Sequence, residues 1–395
     1  MVEKIRTNHK NSQGRIFSWM ALMLGFTVNL IYPIFPNFIK RIVETDEAVS
    51  IFYAVMAIFL LIGSMLSMWI FRKISRTTIM KVALALSAAN FLFLIFVTRV
   101  AELYFLETIR LWMKLFLVIS IALFVRDCAK ETDLGEEEGL YYKFSNIGYF
   151  IGPMIGGFVA SAFDYELVFS LAALTSLVAL GYFYHAHIIK KHPHIKKIKQ
   201  PQDFSFRKNI KEFFLDPDRR KAYLITLVLF TWFSFKRIYI PLYILTSGYL
   251  DNISGIILSL GILPFIFFEV KIGKYADKKG IRLPITTGFL IIAAILLLVF
   301  ISPWPLLNFA LLILASIGAS FIEPLQEYYL FQHLPKDRED GMYGIYMTTD
   351  SVSYFLAPAI GAVVLAFLPF KYLFLVFAII TALSSLYFWK TLKGK

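Results

Sequence analysis

Residues 146–157 read Asn146-Ile147-Gly148-Tyr149-Phe150-Ile151-Gly152-Pro153-Met154-Ile155-Gly156-Gly157. Gly148, Gly152 and Gly156 recur every fourth residue, which puts them on one face of a helix. In water this would be a poor helix, because each glycine costs about 1 kcal/mol against alanine. In a bilayer glycines have a use: they let two helix backbones approach where lipid supplies no hydrophobic drive for association. Pro153 frees a carbonyl one turn back and bends the helix there. Read alone, the stretch is a packing face inside a membrane.

The composition places the rest of the chain in the same solvent. Hydrophobic residues make up 58% of the 395 and charged residues only 17%, where a soluble domain carries about 25% charged. Such a chain cannot cover its surface with polar groups in water. The 40 Phe and 21 Tyr suit lipid-facing and interfacial positions. A lone cysteine, Cys128, excludes an internal disulfide and any cysteine-based metal cluster. The net charge of +13 is explained by basic loops on one side of a membrane, so no nucleic-acid partner is expected. The N-terminal segment (Lys4, Arg6, Lys10, Arg15) lacks a short apolar core with a small-residue cleavage site, so no removed signal peptide is expected.

About 20 apolar residues span a bilayer as a helix. Runs of that size fall near 17–37, 49–71, 78–98, 102–125, 142–162, 167–187, 222–246, 253–272, 284–302, 305–331, 342–367 and 371–390. The expected fold is therefore an all-α membrane protein of about twelve transmembrane helices. Lysines and arginines concentrate at the N-terminus, at Arg72, Lys73 and Arg76, along 190–221, at Lys278, Lys279 and Arg282, and at Lys390, Lys393 and Lys395. Asp164, Glu166, Asp251 and the turn Ser302-Pro303-Trp304-Pro305 fall on the opposite side, with only Lys40, Arg41, Arg99 and Lys371 as basic company. Both termini are expected in the cytoplasm, with the chain in the cell membrane as a multi-pass protein.

Residues 188–220 form the only long polar stretch between spans. They divide the chain into an N-terminal six-helix bundle (1–187), a cytoplasmic linker (188–220) and a C-terminal six-helix bundle (221–395). A short amphipathic helix at the membrane surface is expected near 206–214. His185, His187, His192 and His194 cluster at the linker's start. Without carboxylate or thiolate support they read as a solvated basic loop beside lipid headgroups, and no metal or other cofactor is expected.

The halves repeat. An offset of 205 residues carries Gly152-Pro153 onto Ala357-Pro358, Gly156 onto Gly361, Pro36 onto Pro241 and Met68 onto Gly273. One ungapped offset thus aligns first spans, second-to-third loops and fifth spans. It implies a six-span unit used twice in the same orientation, giving two pseudo-symmetric bundles.

This organisation resembles the major facilitator superfamily of secondary transporters over nearly the whole chain, and two motifs carry the resemblance. Gly148-x-x-x-Gly152-Pro153-x-x-Gly156-Gly157 is similar to the superfamily's fifth-helix motif, associated with proton-coupled antiporters that export drugs and metabolites. The resemblance implies a bent, close-packed joint between the halves. Gly273-Lys274-Tyr275-Ala276-Asp277-Lys278-Lys279-Gly280-Ile281-Arg282 is similar to the superfamily's loop signature. Gly273 and Gly280 permit close approach and a tight turn. A carboxylate such as Asp277 is favoured at a helix N-terminus, and Lys278 and Arg282 hold the loop on the inner face. By resemblance, Asp277 latches the cytoplasmic side. The first-half loop departs from the pattern, with Arg72 where the acid belongs.

Ionisable groups within spans are expensive and mark functional candidates. Glu107, Arg110 and Lys114 share a face of the fourth span, with Glu107 placed to neutralise Arg110. Lys236 and Arg237 lie past the middle of the seventh span, Glu323 and Glu327 one turn apart in the tenth, and Asp350 in the inner third of the eleventh. Glu269 and Lys271 read as interfacial. The first span offers Asn29 and Tyr32 and no acid. Proton coupling needs a carboxylate that binds and releases a proton, and Glu323, Asp350 and then Glu107 are the candidates. No Gly-x-x-x-x-Gly-Lys-Ser/Thr loop is present, so an ion gradient rather than ATP is the expected energy source. The sequence thus points to a monomeric secondary transporter, not an enzyme, that moves a small organic solute by alternating access. Two readings stay open: proton-coupled efflux of an amphipathic compound, and proton-coupled uptake or exchange of an organic anion suited to the basic set. A non-transporting membrane sensor is a third, weaker reading.

Overall fold

The computed structural model describes residues 2–128, 134–185, 206–335 and 339–393. His187, His192, His194, Lys395 and the linker from 188 to 205 lie outside the described residues. Everything regular among them is helical: α1 (Val2–Ile31), α2 (Phe35–Val43), α3 (Asp46–Lys73), α4 (Arg76–Leu94), α5 (Val100–Cys128), α6 (Leu134–Ala162), α7 (Tyr165–His185), α8 (Phe206–Leu215), α9 (Pro217–Thr246), α10 (Asp251–Leu260), α11 (Leu263–Lys279), α12 (Arg282–Ile301), α13 (Pro305–Phe331), α14 (Glu339–Tyr346), α15 (Thr348–Phe367) and α16 (Tyr372–Thr391).

Local signals set several of these boundaries. Ser75 caps α4, its hydroxyl accepting from the Thr78 N–H at 3.2 Å. Asp216 caps α9 by accepting from the N–H groups of Asp218 and Arg219, both at 2.9 Å, and Pro217 follows at the position where a missing N–H is harmless. The two first spans differ despite the repeat. Pro33 and Pro36 lie three residues apart, and the chain leaves the helix between α1 and α2. Pro241 stands alone, and α9 runs through it for 30 residues.

Ten stretches among the described residues are long and apolar enough to cross a bilayer. The expected fourth and fifth spans, α5 and α6, are each helices of 29 residues, long enough to cross. Phe96, Phe163, Trp304 and Phe367 stand exposed at span ends, as residues of an aromatic belt do.

The chain forms two compact units. The first comprises Met1–Val43, Phe59–Lys199 and Leu250–Ser259; the second comprises Glu44–Ile58, Gln200–Tyr249 and Leu260–Lys395. Each therefore contains a short piece of the other half of the sequence, α10 in the first and the start of α3 in the second. In the first unit, Phe17 and Phe124 stack at 5.0 Å within a core that includes Met80, Leu84 and Phe183. In the second, Phe235, Tyr243, Phe374 and Phe377 interlock, with Phe235 and Phe377 centroids 4.2 Å apart. The helix expected near 206–214 is α8. Its Phe213 is fully buried and meets Tyr223, so α8 docks on α9 through that side chain.

Candidate functional site

In the first unit the charges on α5 are arranged as their spacing predicts. Glu107 is fully buried and Arg110 nearly so. The Arg110 Nε and Nη2 groups donate to the two Glu107 carboxylate oxygens, each at 2.6 Å. This bidentate pair is the strong, geometrically fixed form of ion pair. The guanidinium also lies 4.4 Å from the Phe35 ring centroid. One turn on, the Lys114 ammonium donates to the Tyr32 hydroxyl at 2.8 Å. Tyr32 sits at the break between α1 and α2, which turns its side chain toward α5. Asn29 does not join them: its amide donates to the Gly25 carbonyl of its own helix at 2.8 Å.

Arg110 and Lys114 border a small cavity of about 30 Å³ among α1, α4, α5 and α7. Its walls are mostly apolar, including Met20, Leu84, Phe91, Leu117 and Ile121, with Thr27, Ser87 and Ser176 as the hydroxyl groups.

The glycine face of α6 packs on α1 in the same unit. A Cβ built on Gly148 would lie 2.6 Å from the Leu22 oxygen, and one on Gly152 would lie 2.8 Å from the Phe26 oxygen. At Gly156 it would overlap the Leu30 backbone. Only these glycines permit such backbone contact. Gly157 faces α10, where its added Cβ would lie 3.0 Å from the Gly255 Cα, and Gly255 in turn lies against the Pro153 carbonyl. The motif thus joins α6 chiefly to the first span of its own half, and through Gly157 and Pro153 to a segment from the other half of the sequence. Near that contact, Asp251 is buried rather than exposed in an outer loop. It accepts a hydrogen bond from the Asn37 amide and another from the Tyr165 hydroxyl at 2.9 Å.

In the second unit Glu323 has one lysine and two further acids as neighbours. Lys236 is buried on α9, with its Nζ 5.7 Å and 5.8 Å from the ring centroids of Phe233 and Phe265. It interacts electrostatically with its neighbour Arg237 and with Glu323 of α13. Glu323 also interacts with Glu327 one turn on and with Glu269 of α11. Glu327 accepts a hydrogen bond from the Tyr343 hydroxyl at 2.9 Å. Sequence reading set Glu269 aside with Lys271 as interfacial. The signal that finds it is its place well inside the 29-residue stretch Asp251–Lys279. Asp350 stands exposed in the first turn of α15 and is not among the partners of Glu323.

The loop motif is built as follows. Gly280 ends α11 at φ 83°, ψ 171°, a backbone shape open essentially to glycine alone, and its N–H donates to the Ala276 carbonyl at 2.8 Å. Asp277 is exposed and interacts with the Tyr328 hydroxyl of α13. Arg282 stacks over Trp389 at 4.1 Å, and Lys278 is exposed. Gly273 has open space where a Cβ would go, so the close approach expected of it is not made among the described residues. Those residues also hold no group of three or more His, Cys, Asp and Glu side chains able to bind a metal.

The chain matches the family model described as Major Facilitator Superfamily over residues 17–306 and 252–395. It is 24% identical over 254 residues to MJ1560, an uncharacterised transporter of that type from Methanocaldococcus jannaschii, the match covering 62% of each chain. It is 20% identical over 265 residues to the staphylopine export protein of Staphylococcus aureus, covering 66% of each. The chain thus spans 62% and 66% of the lengths of these curated relatives. In fold it is similar to a mutant form of the nucleoside transporter NupG, with a TM-score of 0.78 at 13% identity, covering 96% of this chain and 100% of that one. A multi-pass helical chain with this fold and this family match belongs to the Major Facilitator Superfamily of membrane transporters.

Proposed function

We propose that the chain is a secondary active transporter that exports a small organic solute in exchange for protons, with Glu323 as the group that carries the coupling proton. The observation that carries this reading is Glu323, which interacts with the buried Lys236 and has two further acids, Glu269 and Glu327, as neighbours. The excess negative charge in a low-dielectric setting is relieved by taking up one proton. Deprotonation restores the attraction between Glu323 and Lys236. A proton entering or leaving therefore changes what Lys236 is paired with, which is the local event a proton-driven cycle needs. Residues 1–187 and 221–395 act as the two alternating bundles, joined by a cytoplasmic linker at 188–220, in a monomer in the cell membrane with both termini inside. Two features favour export: the fifth-helix motif resembles that of proton-coupled antiporters, and one relative is named for export. The opposite direction, proton-coupled uptake of an organic anion, uses the same groups and is favoured by Lys114, which meets the neutral Tyr32 hydroxyl and makes no ion pair among the described residues.

The test is the purified chain in proteoliposomes loaded with a pH-sensitive dye. A panel of amphipathic cations, neutral compounds and organic acids is added under an imposed pH gradient. Solute-dependent proton movement is expected above empty liposomes. Glu323→Gln is expected to insert normally and to lose that movement. Coupling at the wild-type rate in Glu323→Gln would remove the assigned role, and an inert wild type across the panel would overturn transport itself. Right-side-out against inverted vesicles then fixes direction.

A further inference from the structure

Resting on that transport reading, we propose that Asp251 is the residue that holds the transporter shut at the face opposite its basic loops, and that its bonds break each time that face opens. The first observation is where two short segments pack. α10 follows the linker in sequence, yet it belongs to the first compact unit. The start of α3 precedes the linker, yet it belongs to the second. If the bundles 1–187 and 221–395 part at this face, both segments are released from the unit that holds them. The internal repeat relates the two. The 205-residue offset carries Asp46, the first residue of α3, onto Asp251, the first residue of α10.

The α10 attachment is polar in its first turn. The buried Asp251 carboxylate accepts from the Asn37 amide of α2 and, at 2.9 Å, from the Tyr165 hydroxyl at the start of α7. The N–H of Asn252 donates to the Ser161 hydroxyl at the end of α6, at 2.8 Å. Arg41 reaches the same corner. Its guanidinium carbon lies 5.0 Å from the Tyr165 ring centroid, and its charge acts on the Asp251 carboxylate. Behind this turn, Gly255 lies against Gly157 and the Pro153 carbonyl. A contact between glycines brings backbones close but buries little apolar side chain. The hold therefore falls to the carboxylate. Hydrogen bonds to a charged acceptor are the stronger kind, and water can replace both donors once the face opens. Such a hold is firm and reversible.

The α3 attachment repeats the plan with a tyrosine at its centre. Tyr239 of α9 donates to the Ser50 hydroxyl at 2.9 Å and interacts electrostatically with Asp46. One turn on, the Tyr53 and Tyr354 rings meet edge to face at 6.1 Å. At α10 one carboxylate takes two donors from the other half of the sequence, so one substitution tests the hold.

The test uses the full chain in lipid nanodiscs, with Cys128→Ser and one reporter cysteine labelled by a water-soluble maleimide. Ser254→Cys reports on α10 and Val49→Cys on the start of α3; both positions are fully buried. Asp251→Ala is expected to speed labelling at both by at least about tenfold. Tyr165→Phe, which removes one bond and keeps the ring, is expected to speed both by about threefold. Ser120→Cys, fully buried on α5, is expected to keep its slow rate in both variants, since only unfolding exposes it. Asp164→Asn, an exposed acid at the α6–α7 turn, is expected to change neither reporter. Protection of both reporters in Asp251→Ala would overturn the proposal. So would faster labelling of Ser254→Cys alone, which is what a frayed α10 gives. Should Asp251→Ala also expose Ser120→Cys, Tyr165→Phe decides by the same two criteria. The two proposals fail separately. If solute-dependent protons move while both reporters stay protected in the variants, the Asp251 hold falls and the transport reading stands. If both reporters open together with no solute or proton movement, the hold stands and the transport reading falls.

Discussion

Gly156→Ala adds one methyl group at the point where α6 lies closest to α1. The new Cβ overlaps the carbonyl oxygen and carbon of Leu30, which are backbone atoms inside a hydrogen-bonded helix and cannot rotate away. The helices cannot shift locally to make room, because the same face is already tight one and two turns earlier. There the added atoms would be 2.8 Å from Phe26 at Gly152 and 2.6 Å from Leu22 at Gly148. Overpacking costs about 1–3 kcal/mol where neighbours can adjust, and this contact belongs at the upper end. Against it stands the gain of about 1 kcal/mol in helix propensity on replacing glycine by alanine. The expected balance is a loss of about 2 kcal/mol. Gly181 supplies the control. It is exposed on α7, and nothing lies within 4 Å of its added Cβ. Gly181→Ala therefore shows only the propensity gain, so the two substitutions have opposite signs. Thermal unfolding of both variants in one detergent, followed by circular dichroism, reads this directly. A Gly156→Ala protein as stable as Gly181→Ala would refute the claim that backbone contact locks α1 to α6.

Two further substitutions test the charges and the turn. Glu107→Gln leaves Arg110 buried without its carboxylate and is expected to cost about 3–5 kcal/mol, seen as a fall in folded yield and melting temperature. The double variant Glu107→Gln, Arg110→Gln should recover most of that loss, and a double variant as damaged as the single would contradict the pairing. Gly280→Ala forces an L side chain into the φ 83°, ψ 171° region and should destabilise by about 1–3 kcal/mol. Gly273→Ala, with open space around it, should be neutral or better in the same melting experiment.

What was legible in the sequence was whatever a single helix determines. Span lengths, the shared face of Glu107, Arg110 and Lys114, the glycine step and the turn at Gly280 all follow from one helix's periodicity or one residue's backbone preference. What was not legible depends on which helix lies opposite. Asp251 reads as an outer-loop acid because its partners are remote: Tyr165 is 86 residues away in sequence and Asn37 is 214 away. Glu269 reads as interfacial until α13 brings Glu323 to it. The repeat also misleads in detail. Gly156 and Gly361 occupy equivalent positions, yet Gly156 faces the bare backbone of Leu30 while Gly361 faces the Tyr239 hydroxyl group. That hydroxyl donates to Ser50 at 2.9 Å. Alanines at 357 and 362 accompany this side-chain filling in the second half. The sequence similarity preserves a small residue there, but not the reason for it.

α5 and α6 are tied together through α1. α6 gives up apolarity for glycines, and those glycines fix the depth and approach of α1 from Leu22 to Leu30. One residue beyond Leu30 the helix ends, and Tyr32 in the break reaches the Lys114 ammonium. α5 carries the Lys114 ammonium that Tyr32 meets. The distance between Tyr32 and Lys114 is therefore set by a contact made elsewhere, on the opposite flank of α1. A rigid helix carries a displacement along its length, whereas a turn such as the one at 32–34 absorbs it. The break after Ile31 comes late enough that Tyr32 follows α1, and early enough that α2 need not. In this geometry the glycine face touches no charge, yet it sets where the Tyr32 hydroxyl meets the Lys114 ammonium.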